Sequence, residues 1–331
     1  MVAGLDIVTG GSGFIGSHLV DRLLADERRV RVIDNFSVGN PRNLEQHRDN
    51  RRLEIVTCDI GEEPVEPLFE GAERVFHLAA RADIVPSVQN PCVYFRSNVD
   101  GTYAVVEAAR AARVKRFVYA ASSSCYGIPD AYPTLETAAI RPEYPYALTK
   151  YLGEQIVLHW AHVYRLPAVS LRFFNVYGPR VRTSGTYGAV FGVFLAQLLA
   201  GKPLTIVGDG TQTRDFTYVS DVVSAIVTAA ESGIVGEFYN VGSGNTYSVN
   251  RLVELLGAKE TVYIPKRPGE PDCTFADVSK IQRELGWEAA VSLERGVGNM
   301  LENLDYWRDA PVWTPERIAE ATADWFRLLS R

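Results

Sequence analysis

The stretch "VTGGSGFIGSHL", residues 8–19, constrains this chain more than any other. It sets Gly10, Gly13 and Gly16 at GxxGxxG spacing behind the β-branched run "LDIVT" (5–9) and at the start of a helical pattern over 14–26. Glycines placed this way let the backbone approach a bound pyrophosphate. The first turn of the helix adds free N–H groups and the positive end of its dipole. A second apolar run, "VRVID" (30–34), ends in Asp34, near the distance expected of an acid that binds the adenosine ribose of a dinucleotide. Its charge repels a 2'-phosphate and no arginine directly follows it, so NAD is expected rather than NADP.

Four more runs, 53–58, 74–79, 116–121 and 168–173, complete six candidates for parallel strands, with helical patterns at 14–26, 91–113 and 146–165 between them. This rhythm predicts an α/β fold, a Rossmann-type doubly wound parallel sheet with helices on both faces. After residue 175 glycine and proline break the rhythm, as in "GDGTQTRD" and "PKRPGEPD". The expected organisation is an NAD-binding domain over 1–175. Residues 176–331 then form mainly a smaller substrate-binding lobe, with some segments returning to the first domain.

At 331 residues the chain can bury a full core, and its net charge of -6 argues against a general nucleic-acid binder. Cys58, Cys92, Cys125 and Cys273 are scattered without a CxxC pair, so no metal site or disulfide framework is expected. The first apolar run has no basic segment before it and reads as a strand, which points to a cytoplasmic protein. "GAVFGVFLAQLLAG" (188–201) is too short to span a membrane and reads as a buried helix. The tail "WTPERIAEATADWFRLLSR" predicts a Thr-capped terminal helix docked by Trp325 and Phe326. His159 and His162 share a helix face without a third ligand, and Cys125 and His77 read as packing residues.

"YAASSSCYG" (119–127) lines up three serines at the end of the fifth strand, where a parallel sheet opens its ligand crevice. "YPYALTK" (144–150) then sets Tyr146 and Lys150 one helical turn apart on one face. A phenol of ordinary pKa, about 10, is too weak a base at neutral pH, so the Lys150 ammonium is expected to favour the phenolate. Tyr146 would take the proton of an alcohol, a strand-end serine would hydrogen-bond the same oxygen, and Lys150 would also hold the nicotinamide ribose.

These features, with "HLAA" (77–80), "SNVDGT" (97–102), "RFFNVYGPR" (172–180), "GDGTQTRDFTYVSD" (208–221) and "NVGSG" (240–244), resemble the extended short-chain dehydrogenase/reductase superfamily. Within it the likeness is to the NAD-dependent nucleotide-sugar 4-epimerases, over about residues 1–300. The resemblance implies Ser122, Tyr146 and Lys150 as the catalytic set, Ser122 lying four residues before the tyrosine of the "YG" pair. It implies cofactor contacts from Gly10, Gly13, Phe14, Ile15, Gly16, Asp34, Asn35, Asp59, Ile60, Leu78, Ala79, Ala80, Asn98 and Phe173. For a UDP-sugar it implies Ser122, Ser123, Ser124, Tyr146, Asn175, Arg182, Ala189, Val190, Arg214, Arg267 and Thr274, with the two arginines Arg214 and Arg267 on the diphosphate. A homodimer is the family expectation.

Relatives that eliminate water or carbon dioxide carry carboxylates just after the catalytic hydroxyl, where this chain has Ser123 and Ser124. Epimerisation through a 4-keto sugar is what remains, with NAD staying bound. Enzymes of the family that admit N-acetylhexosamines have a small residue where strict hexose enzymes have tyrosine. Counted from Asp277, that position is Thr274. Arg182 resembles the arginine with which uronate 4-epimerases hold a carboxylate, but those pair it with threonine where Asn175 stands here. A glucuronate epimerase, a dehydratase or decarboxylase, and a silent NAD-binding scaffold are the alternatives.

Overall fold

The computed structural model describes residues 4–181 and 189–330. Seven strands make one parallel sheet: β1 (Leu5–Thr9), β2 (Arg29–Asp34), β3 (Leu53–Thr57), β4 (Ala72–His77), β5 (Arg116–Ser122), β6 (Ala168–Phe173) and β7 (Glu237–Val241). Their order is β7-β6-β5-β4-β1-β2-β3. The chain winds outward from β1 on one side, then restarts at β4 on the other. That reversal opens a crevice above the carboxyl ends of β1 and β4.

Six helices matter for the site: α1 (Phe14–Ala25), α2 (Gly101–Ala111), α3 (Pro145–Tyr164), α4 (Val190–Leu199), α5 (Val219–Glu231) and α6 (Pro315–Leu329). Successive strand residues point to opposite faces, so each central strand feeds two cores. Val8, Val118 and Val169 pack with Leu19, Leu23, Val222 and Ile226 under α1 and α5. Ile7, Val75 and Phe117 pack with Val105 and Val157 under α2 and α3. A separate core gathers Tyr177, Phe191, Phe194, Phe216 and Trp307, all after residue 175.

One expectation is corrected. "EFYNV" supplies a seventh strand, which a short polar-edged run does not announce; it is defined by its register against β6, Tyr239 opposite Leu171. The helical pattern over 91–113 is observed as continuous helix from Pro91 to Ala111, with a π-turn at Arg96–Asp100 that carries Asn98, a distortion that often accompanies a site.

The 188–201 segment contributes α4, with Phe191, Phe194 and Leu195 buried. Thr314 caps α6 by accepting from the Arg317 N–H, and Trp325 is buried while Phe326 is only half-buried. Among the described residues no helix is long and apolar enough to cross a membrane.

Candidate active site

The loop between β1 and α1 is shaped by contacts that exclude side chains. Gly10 has φ +69°, and a Cβ there would lie 2.7 Å from the Ala79 backbone nitrogen; at Gly16 it would lie 2.2 Å from the Gly10 carbonyl oxygen. Those two glycines close the loop against β4 and α1. Gly13 differs: beyond the Gly10 carbonyl oxygen at 3.1 Å, nothing would meet its Cβ, which would stand in an open cavity of about 480 Å³. A backbone cradle at a helix N-terminus is what a diphosphate requires.

That cavity runs from Asp34, Asn35, Asp59 and Ile60, past Gly10, Gly13, Phe14, Ile15 and Gly16, to Leu78, Ala79, Ala80, Phe173, Ser122 and Tyr146. Asp34 is 7% exposed and accepts from the Ser12 N–H (2.9 Å) and the Phe36 N–H (2.8 Å). Burial raises its pKa and these two bonds oppose the rise. Each carboxylate oxygen keeps a lone pair for a ribose hydroxyl. Asn35 donates to Asp59 Oδ2 at 2.7 Å and so ties the ends of β2 and β3 together at the adenine end. The residues fit NAD.

At the other end, the Tyr146 hydroxyl donates to Ser122 Oγ at 3.3 Å. Ser122 ends β5, accepts from the Ser124 N–H and pairs with Ser124 Oγ at 2.8 Å. Ser122 is thus held in one orientation by its neighbours. Lys150 is buried on α3 with its ammonium 4.3 Å from the centre of the Tyr119 ring. Burial raises the Tyr146 phenol above its ordinary value and the Ser122 hydrogen bond opposes the rise, so the phenolate needs a nearby positive charge, for which Lys150 and the nicotinamide are the expected sources.

Burial also pulls Lys150 down to about 7, against the raising influence of Glu154. Below about pH 7 folded and unfolded chains both carry that proton and the full cost of burying the charge is present. Between about 7 and the ordinary value of 10.5 the unfolded chain holds more protons, so this group makes stability rise with pH. Lys150→Met should therefore stabilise the fold most near about pH 6 and progressively less toward about pH 10. Urea unfolding across that range checks it; an equal gain at every pH contradicts a buried charge.

Asn98 and Lys150 line neither cavity. The Asn98 amide is taken up by the backbone of Arg81 and by Thr149 Oγ1, itself bonded to the Tyr146 carbonyl. Asn98 thus braces the β4 loop to α3, and its neighbour Ser97 lines the cofactor cavity. His77 bridges Thr9 and Thr102, and burial drops it to about 3. Cys125 is buried, its thiol pushed up to about 12, and inert. Among the described residues there is no metal-binding cluster.

A second cavity of about 400 Å³ meets the first at Ser122, Tyr146 and Phe173. It is lined by Ser123, Ser124, Asn175, Ala189, Val190, Arg214, Arg267 and Thr274. Arg182 lies outside the described residues. Thr274 Oγ1 donates to Asn175 Oδ1 at 2.6 Å, which leaves the Asn175 NH₂ to donate into the cavity. Arg214 and Arg267 flank Glu270 at 2.9 and 3.6 Å. Sequence spacing did not reveal Glu270 or Trp325 in this wall, nor Tyr306, Pro311 and Trp313 beside the cofactor cavity. Only the run "RPGE", with Glu270 three residues after Arg267, carried a signal.

Residues 7–242 match the family model described as the NAD dependent epimerase/dehydratase family. The chain belongs to that family. As a member of the epimerase/dehydratase family it is an enzyme, and NAD is its cofactor. A "UDP-glucose 4-epimerase" from Mycolicibacterium smegmatis is 38% identical over 89% of this chain and 97% of its own length. The solved "UDP-N-acetylglucosamine 4-epimerase" of Methanobrevibacter ruminantium, in complex with UDP-N-acetylmuramic acid, is similar with a TM-score of 0.87 and 32% identity. It covers 92% of this chain and 99% of that one. A Bacillus cereus "UDP-Glucuronic acid 4-epimerase" with UDP-glucuronic acid and NAD gives 0.85 and 33%, over 91% and 99%.

Proposed function

We propose that the protein is a UDP-sugar 4-epimerase of the UDP-N-acetylglucosamine and UDP-glucose type, working through a transient 4-keto sugar. The observation that carries this is the junction of the two cavities, where Tyr146 stands 3.3 Å from Ser122. A sugar reaching from the second cavity would present its 4-hydroxyl there, beside the nicotinamide end of the first.

NAD, held by the Gly10–Gly16 loop and Asp34, would supply a hydride acceptor for carbon 4, with its reversal on the opposite face, and a positive charge near the phenol. Tyr146 then takes the proton of the 4-hydroxyl and gives it back. Ser122, fixed by Ser124, hydrogen-bonds the same oxygen in both directions. Arg214 and Arg267 would hold the diphosphate, so that the sugar can turn over while the nucleotide stays fixed. Ser123 and Ser124 supply no carboxyl at the positions where dehydratases and decarboxylases need one.

Thr274 leaves room for an acetamido group, and the Asn175 NH₂ suits an acyl or hydroxyl oxygen. Incubation with UDP-N-acetylglucosamine, UDP-glucose and UDP-glucuronate separately, followed by separation of the 4-epimers, should show conversion of the first two. Release of carbon dioxide or a 6-deoxy-4-keto product overturns the reading, and conversion of glucuronate alone replaces it with the uronate one. Thr274→Tyr should cut kcat/KM for the N-acetylated substrate by about ten-fold or more relative to glucose, since an overfilled site costs roughly 1–3 kcal/mol. An unchanged ratio removes Thr274 as the gate.

A further inference from the structure

The segment after residue 303 lies outside the 7–242 match to the family model. In the structure this segment crosses both cavities. Tyr306 donates to Asn43 Oδ1 at 2.8 Å, Trp313 lines the cofactor cavity, and α6 brings Trp325 into the wall of the second cavity.

Trp325 is 3% exposed and touches two parts of the site. Its indole N–H donates to the Pro268 carbonyl at 2.7 Å, and the Arg267 guanidinium lies 5.4 Å from its ring centre. Its ring also meets Tyr144 at 6.5 Å, and Tyr144 stacks on Tyr146 at 6.3 Å with 9° between the planes. Glu270 also holds the turn, pairing with Arg214 at 2.9 Å and Arg267 at 3.6 Å, while Gly269, at φ +70°, has nothing within 4 Å of where a Cβ would be. α6 is itself tethered to the rim by Gln89, which donates to Asp324 at 3.0 Å.

We propose that Trp325 is a positioning residue for the nucleotide: α6 completes the substrate site, and Trp325 holds Arg267 and the 267–270 turn in the pose that meets a diphosphate. This rests on reading the second cavity as the UDP-sugar site. An arginine on a loose turn loses its conformational freedom at the moment of binding, which weakens affinity. An arginine already stacked on an indole has lost it beforehand. Trp325 thus acts on binding through Arg267, at a distance from the bond-breaking chemistry.

The test uses full-length protein with NAD bound, and UDP as the titrant in calorimetry. Trp325→Ala should weaken UDP about ten-fold, the sum of a lost cation–π contact and a lost hydrogen bond. Trp325→Phe, which keeps the ring and loses the N–H, should recover part of that loss. With UDP-sugar, KM should rise by more than kcat falls and NAD content should stay near wild type, while the lost indole lowers the unfolding midpoint in Trp325→Ala more than in Trp325→Phe. An unchanged UDP affinity in Trp325→Ala overturns the proposal, as does a fall in affinity matched by loss of NAD. A wild-type protein that retains NAD and binds no UDP refutes the nucleotide-sugar reading beneath it.

Discussion

Tyr146→Phe is expected to lower kcat by about three orders of magnitude or more while the protein keeps its fold and its NAD. The hydroxyl stands at the cavity junction, where it can exchange a proton with the sugar, and it is bonded to Ser122 at 3.3 Å. Removing it deletes a single oxygen from a buried ring, and Ser122 keeps its bonds to Ser124. The phenyl ring still stacks on Tyr144, so the packing of α3 against the rim survives. Single-turnover measurement of the 4-keto species separates this outcome from a binding defect. If the variant accumulates neither keto sugar nor epimer yet binds UDP normally, the proton transfer is the step lost. Turnover within about ten-fold of wild type would remove Tyr146 from the chemistry.

The parts of this fold that are local in sequence could be read from it, and those created by contact between distant segments could not. The glycine loop, Asp34 and the serine-tipped β5 each announce themselves within a dozen residues, because each is a strand end whose backbone geometry demands particular side chains. β7 escaped because its identity lies in its register with β6, more than sixty residues earlier. Asn98 sits in a π-turn that aims its amide at Arg81 and Thr149, partners its own motif does not show. The Tyr146 and Lys150 pair is visible in the spacing, whereas the burial that raises the phenol and pulls the ammonium down exists only once the chain has closed over both groups. Trp313 and Trp325 reach the cavities from a tail whose own pattern shows only an amphipathic helix.

Glu154→Gln is expected to cost about 3–5 kcal/mol of stability, the largest such effect of a single substitution in this region. Glu154 is 1% exposed on α3, one turn beyond Lys150, and accepts from Arg172 Nε at 3.0 Å and Ser170 Oγ at 3.0 Å. Arg172, itself buried on β6, also donates to the Tyr126 hydroxyl at 2.8 Å and lies 4.2 Å from the centre of the Phe238 ring on β7. One carboxylate therefore joins the catalytic helix to two strands and to the turn after Ser122. Glutamine preserves the shape but leaves a buried guanidinium without its counter-charge and turns one accepting oxygen into a donor facing donors. Denaturant unfolding measures the loss, and a change below about 1 kcal/mol would mean the pair contributes no more than a surface bridge. The same substitution removes the influence that raises Lys150, so its folded pKa should drop further below its present value of about 7. Less ammonium then remains in the folded protein at neutral pH.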